Sequence, residues 1–467
     1  MKRSPRSTVF RAAVFHAAVP PSGAGRSRIA LLAALALGLF VISAVALVLR
    51  RGTPTAAEDG AWIATWGTGL GGPALPAEQV LLHGQTLRLI VHTSIGGARA
   101  RIRLSNEFGA APLRIAAASL ALRQSGAAIV PGSGRELRFD GRREAAIPAG
   151  GSVQSDPVEL AVPALSDLAV SLYLPEQVAA GTVQAAAYQM SYVSAPGNFA
   201  GAASLPVERQ IPSWPFLAEV DVEAGAGAAL VVFGDSIASG AVTTMDANRR
   251  WPDLLARRLL DAPVSSPAAG SAARLGIVNR GIGGNRLLRD PAIQPIFGRA
   301  ALDRFERDVL DTAGVRAVIV AIGINDIGHP GMQGVPVDQL PTPEELTDGY
   351  RELIERAHKR GIAVIGVTMT PVEGTVYPGY ATAEKERIRH VVNGWISLAG
   401  KFDGVIDADL AVRDPAHPTR LLPDYDSGDH LHPNDRGMQA IADAVPLALV
   451  REAALGYRGA SGHRVSR

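Results

Sequence analysis

The chain has 467 residues, 47% of them hydrophobic and 19% charged, with a formal net charge of +2. That length implies more than one domain and supplies ample apolar residues for packed cores, which excludes wholesale disorder. The absence of cysteine excludes a disulfide framework, a cysteine nucleophile and any thiolate metal site.

The charge is unevenly spread. Lys2, Arg3, Arg6, Arg11, Arg26, Arg28, Arg50 and Arg51 all precede the first acid, Glu58. Setting those eight aside leaves 38 basic residues against 44 acidic ones, a mildly acidic body that argues against general nucleic-acid binding. Residues 1–28 read as a basic cytoplasmic N-terminus. Residues 29–49 form an uncharged run of 21 residues, which as a helix would rise about 32 Å and cross a bilayer core. They are expected to be a transmembrane or signal-anchor segment, with the positive-inside bias placing the body outside the cytoplasm. Ala44-Val45-Ala46 has the small-x-small pattern of a cleavage site, so a secreted form is the alternative.

After a short polar linker, residues 58–220 read as a β-rich accessory domain. Leu87, Leu89 and Val91 alternate with Arg88, Ile90 and His92; Arg101-Ile102-Arg103-Leu104 alternates in the same way, and residues 168–174 make a further strand. Short alternating runs between Gly, Pro and Asn turns predict a β-sandwich or jelly-roll.

The character changes near residue 226 and holds to 456. Leu230-Val231-Val232-Phe233, Gly276-Ile277-Val278, residues 317–321, residues 363–367 and Val405-Ile406 are short continuous apolar runs, the pattern of strands buried on both faces of a parallel sheet. Helical stretches separate them. The best marked is 343–360, with Thr342 as N-cap, Pro343 at the first position, Glu345 completing a capping box and Gly361 beyond the end. Residues 251–260 and 383–398 are further helices. Strand and helix in alternation predict a doubly wound α/β domain with its site at the carboxyl ends of the strands. Residues 457–467 read as a polar tail.

Four clusters fall at those ends or open a helix. Gly234-Asp235-Ser236 closes the first buried run, and Asn279-Arg280-Gly281-Ile282-Gly283-Gly284-Asn285 follows the second. Gly323-Ile324-Asn325-Asp326 follows the third, and Asp429-His430-Leu431-His432-Pro433-Asn434 precedes a helix near the end. Each alone also reads as an ordinary turn. In this order and spacing they resemble the signature blocks of the SGNH (GDSL-type) hydrolase family, over roughly residues 228–450. Ile237 stands where the family name would have Leu. The β-rich segment resembles, more loosely, the extra N-terminal domain of some larger members.

The resemblance implies a flavodoxin-like parallel sheet and serine-dependent hydrolysis of a carboxylic ester through an acyl-enzyme, without metal or cofactor. It makes Ser236 the nucleophile, His432 the base and Asp429 its partner, with the Ser236 and Gly284 N–H groups and the Asn325 amide as oxyanion donors. The chemistry fits those residue types. A serine hydroxyl needs a base to take its proton during attack, and a carboxylate on the far ring nitrogen fixes the histidine tautomer. His430 competes with His432 as base, but only His432 completes the Asp-x-x-His spacing. Asp235 reads as turn support. No Gly-x-Ser-x-Gly elbow is present, and Gly67-Thr68-Gly69-Leu70-Gly71-Gly72 lacks the helix that a dinucleotide fingerprint needs.

Short acyl or acetyl-carbohydrate esters are the expected substrates, with lipid esters also within reach outside the cell. The alternatives are an acyltransferase using the same serine and a non-catalytic extracytoplasmic glycan-binding protein. The expected partners are a small-molecule, glycan or lipid ester and, through residues 29–49, a membrane.

Overall fold

Period-two alternation organises the first half of the described chain into two antiparallel sheets. The computed structural model describes residues 61–262, 274–332, 334–398 and 401–456. The expected leader (1–28), spanning segment (29–49), linker and polar tail (457–467) lie outside them. Among the described residues no helix is long and apolar enough to cross a membrane.

In chain order the main strands are β1 (Trp62–Gly67), β2 (Leu81–His92), β3 (Gly97–Ser105), β4 (Ala117–Ser125), β5 (Val158–Val162), β6 (Asp167–Ala179), β7 (Ser191–Pro196), β8 (Val207–Ile211) and β9 (Leu217–Glu223). One sheet runs β1-β9-β3-β5 and the other β8-β7-β2-β6-β4, each completed by short strands. Leu87, Leu89 and Val91 of β2 share a core with Ile102 and Leu104 of β3 and Val220 and Val222 of β9. Ile90 instead joins Ala121 and Ala169 in a separate small cluster. Two sheets joined by one core make the expected sandwich.

The second half forms a parallel sheet from β10 (Gly227–Gly234), β11 (Arg274–Gly281), β12 (Val315–Ala321), β13 (Ala363–Val367) and β14 (Gly404–Ile406). Their order is β11-β10-β12-β13-β14, the flavodoxin-like doubly wound arrangement. The helices used below are α1 (Ser236–Ser239), α2 (Trp251–Asp261), α3 (Ile324–Gly328), α4 (Pro343–Lys359), α5 (Ala383–Leu398) and α6 (Asp435–Ala444).

Both faces of β10 are buried, which explains its unbroken apolar run. Ala228, Leu230 and Val232 pack with Trp251 and Leu255 of α2 and Met438 and Ile441 of α6. Ala229, Val231 and Phe233 belong to the core that holds Phe305, Tyr350 and Leu353 and continues into the sandwich. The capping box on α4 is complete: Thr342 Oγ1 accepts from Glu345 N at 3.2 Å, and Glu345 Oε2 accepts from Thr342 N at 2.8 Å.

The sandwich also covers the open edge of the parallel sheet. On edge strand β11, the Ile277 N–H donates to Ser94 Oγ at 2.9 Å and the Gly281 carbonyl accepts from Gln184 Nε2 at 2.9 Å. Pairing an edge strand this way removes a template for aggregation. The two halves share a core, and the described residues from 61 to 456 form one compact unit. β9 runs on to Glu223, three residues past the expected end of the β-rich domain at 220, and β10 starts at Gly227.

Candidate active site

Ser236 owes its position to the end of β10. A side chain at Gly234 would place its Cβ 2.4 Å from the Ala321 carbonyl oxygen, so only glycine lets the strands run side by side there. The next residue, Asp235, caps α1, its Oδ1 accepting from Ile237 N at 3.0 Å. Ser236 is thereby the first residue of a helix, where a backbone N–H has no intrahelical acceptor. Burial pushes the Asp235 carboxyl up to about 7, opposed by the Ile237 N–H and the nearby His432 ring.

Nearly two hundred residues later the loop before α6 returns to this point. His432 Nε2 lies 2.9 Å from Ser236 Oγ, and His432 Nδ1 lies 2.6 Å from Asp429 Oδ2. Asp429 Oδ1 accepts from the N–H groups of Leu431 (2.9 Å) and His432 (2.8 Å), so one carboxylate orients both loop and ring. Partial burial alone would raise the Asp429 carboxyl. Hydrogen bonds from the His432 ring and these backbone N–H groups outweigh it and hold the group well below the usual carboxylate range. Asn434 closes the loop as N-cap of α6, accepting from Arg436 N (2.9 Å) and Gly437 N (3.1 Å). His430 turns elsewhere. It adopts a left-handed backbone, is exposed and bonds Asp426, so the structure does not bring it to Ser236.

The other two clusters form the opposite wall. Asn279 ties the end of β11 to α1, donating to the Ala238 carbonyl at 2.7 Å and accepting from Gly281 N at 2.9 Å. A Cβ at Gly281 would lie 2.3 Å from Ser239 N, whereas Gly283 has open space. Gly284 is left-handed (φ +71°) and packs against the Phe297 ring, leaving no room for a side chain. Asn325 Nδ2 donates to the Asn285 carbonyl at 3.0 Å, which places the amide beside Gly284. Its Oδ1 accepts from the buried Tyr380 hydroxyl at 2.8 Å. These bonds engage the amide oxygen and one of its two N–H groups.

Four residues that sequence reasoning did not assign to the site hold this wall in place. Tyr380 orients the Asn325 amide; burial first, then Asp235 and Asp326, raises its hydroxyl well above the usual tyrosine value, so it stays a donor. Asp326 accepts from the Leu287 and Leu288 N–H groups at 2.6 and 2.9 Å, and burial pushes its carboxyl up to about 6 against those bonds. Gln184, from the sandwich, holds the Gly281 carbonyl. Arg304 donates to the Gly234 carbonyl (2.9 Å) and Asn285 Oδ1 (3.0 Å), joining the strand before Ser236 to the loop after Gly284. Only Asp326 sits in a recognisable cluster; the others carry no local signal. Among the described residues no group of three or more His, Asp or Glu side chains could hold a metal ion.

The arrangement can take a proton from Ser236 Oγ, hold it on an oriented imidazole, and present N–H groups to a developing negative charge. Residues 232–440 match the model of the GDSL-like Lipase/Acylhydrolase family. No curated protein matches the chain. Solved structures similar to it include the inhibitor-bound aryl esterase of M. smegmatis (14% identity, 49% of this chain and 100% of that one, TM-score 0.37). Two others are Est24, a carbohydrate acetylesterase from Sinorhizobium meliloti (16%, 49% and 99%, 0.34), and a GDSL-like lipase from Bacteroides thetaiotaomicron (19%, 48% and 87%, 0.33). At those identities and scores the assignment rests on the family match and not on the neighbours. The chain is a serine ester hydrolase that carries a GDSL-like lipase/acylhydrolase domain at residues 232–440.

Proposed function

We propose that the chain hydrolyses carboxylic esters through an acyl intermediate on Ser236, with His432 as general base and then general acid. The observation that carries this reading is the unbroken line Ser236 Oγ, His432 Nε2, His432 Nδ1, Asp429 Oδ2, with separations of 2.9 and 2.6 Å across its two hydrogen bonds. Ser236 Oγ attacks the ester carbonyl carbon as its proton passes to His432 Nε2. The carbonyl oxygen gains negative charge, which the Ser236 and Gly284 N–H groups and the Asn325 amide meet. Collapse breaks the bond to the alcohol, which leaves with the proton from His432. Water then attacks the acyl-serine, gives its proton to His432, and releases the acid. Asp429 stays ionised throughout and stabilises the imidazolium.

The sequence also supports a body held outside the cytoplasm through residues 29–49, or released if that segment is cleaved. Export would put glycan, lipid and environmental esters within reach.

The test measures free acid and transferred acyl product together, from p-nitrophenyl acetate with an alcohol or sugar present. Hydrolysis predicts mostly free acid, and a dominant transfer product would make the chain an acyltransferase. Asn325→Ala tests the oxyanion donor. We expect kcat to fall by about 10²–10³ with little change in KM, since the lost hydrogen bond strengthens only as charge develops. An unchanged kcat would remove Asn325 from the mechanism.

A further inference from the structure

One buried histidine stands behind the Gly284–Asn325 wall and takes no part in the steps above. His329 follows α3 directly and lies one turn beyond Asn325, its backbone N–H donating to the Asn325 carbonyl at 3.1 Å. Residues four apart share a helix face, so His329 takes the side of α3 that carries the Asn325 amide. It is 6% exposed, and neither ring nitrogen has a hydrogen-bond partner among the described residues. Burial first, then Arg286 and Lys385, lowers the ring to about 4, so it is neutral at pH 7. A neutral ring that bonds nothing acts through its shape.

That shape is packed between the supports of two donors. The Phe297 ring centroid lies 5.9 Å from the His329 ring with the planes at 32°, and the Tyr380 centroid lies 6.0 Å away at 71°. Phe297 is pressed against Gly284, where an added Cβ would come within 2.6 Å of its ring. Tyr380 lies close over α3: a Cβ at Gly328 would come within 2.2 Å of its Cζ, and its hydroxyl donates to Asn325 Oδ1 at 2.8 Å. These contacts close into a loop. It runs from Gly284 through Phe297, His329 and Tyr380 to Asn325, whose amide returns at 3.0 Å to the carbonyl of Asn285, the neighbour of Gly284 in the chain. His329 is the middle of the aromatic arc.

We propose that His329 is a positioning residue whose ring, packed between Phe297 and Tyr380, fixes the separation of the Gly284 and Asn325 donors. This rests on the reading of those two groups as oxyanion donors. A donor has to stand where charge develops on the carbonyl oxygen, and a misplacement of about 1 Å can cost about a hundredfold in rate. Without the ring, Phe297 and Tyr380 can move into its space and take the donors with them. The loss should fall on kcat, because those hydrogen bonds strengthen only as charge develops.

The experiment measures kcat, KM and thermal midpoint, with p-nitrophenyl acetate as substrate, for wild type, His329→Ala, His329→Leu, His329→Phe and Asn325→Ala. Two double variants combine Asn325→Ala with His329→Ala or with His329→Leu. His329→Leu keeps much of the bulk, so it carries the test if the space left by His329→Ala unfolds the chain. We expect His329→Ala and His329→Leu to lower kcat by about ten- to a hundredfold with KM within about twofold. His329→Phe gives up no hydrogen bond and restores a flat ring, so it should recover most of the rate. The losses should also overlap: Asn325→Ala should cost at least about fivefold less in either double variant than in wild type, because the donor is already displaced. An unchanged kcat in His329→Ala and His329→Leu, losses that multiply in full, or a folded His329→Phe as slow as His329→Ala would overturn the positioning role and leave the donors standing. An unchanged kcat in Asn325→Ala would instead remove the donor reading on which the proposal rests.

Discussion

Ser236→Ala is expected to lower kcat/KM on p-nitrophenyl acetate by about five to six orders of magnitude. The size follows from what the hydroxyl does. His432 Nε2 lies 2.9 Å from it and Asp429 holds the ring, so in the proposed mechanism His432 accepts its proton. Without the hydroxyl no acyl-enzyme can form, and the oxyanion donors alone can assist direct attack by water only weakly. The fold should not suffer, because the Ser236 hydroxyl bonds only the His432 ring and its helix is capped by Asp235. Comparable rates in the two proteins, measured with equal thermal midpoints, would remove Ser236 from the mechanism.

Asp308→Ala is expected to cost about 3–5 kcal/mol of stability at pH 7, the range for breaking a buried ion pair by removing one partner. Asp308 is 3% exposed and accepts from Arg304 at 2.8 Å and from Arg307 at 2.6 and 2.8 Å. Burial alone would raise its carboxyl, but Arg307, Arg304 and Arg280 hold it well below the usual carboxylate range. Arg280 stands at the seam between the two halves. It donates to the Thr68 and Ala218 carbonyls at 2.8 Å each and pairs with Glu219. Deleting Asp308 would leave Arg304 buried with only neutral acceptors. Since the folded carboxyl is depressed, its stabilisation is complete above the unfolded value of about 3.9 and is lost as pH falls through the folded value. Denaturant unfolding should therefore show the full gap at pH 7 and a smaller one near pH 3. A loss under about 1 kcal/mol at pH 7 would show that the surrounding arginines do not depend on this carboxylate.

The parts of the site that could be read from sequence are those whose geometry is local. Asp429 and His432 are three residues apart in one loop, and Ser236 follows a strand whose apolar run announces burial on both faces. The capping box on α4 was equally plain, because Thr342, Pro343 and Glu345 act within one turn. Tyr380, Gln184 and Arg304 gave no such signal. Tyr380 reaches Asn325 across 55 residues, and Gln184 reaches Gly281 across 97 and from the other half of the chain. No spacing rule encodes such contacts; they exist only once the sandwich has packed against β11. Asp326 was visible but looked like a turn residue, since its two backbone partners lie 38 and 39 residues earlier. The sandwich itself could be foreseen as a class. Its strand order could not, because alternation says which face a residue takes and nothing of which strand lies beside it.

The measurement that bears most directly on the central claim is capture of the nucleophile. Treating the protein with a p-nitrophenyl alkylphosphonate, which traps an activated serine, and mapping the adduct by peptide mass spectrometry identifies the attacking residue. The geometry predicts one adduct per chain, on the peptide containing Ser236, with esterase activity lost in step with labelling. An adduct on a different residue, or ester turnover that persists after Ser236 is fully labelled, would contradict the account.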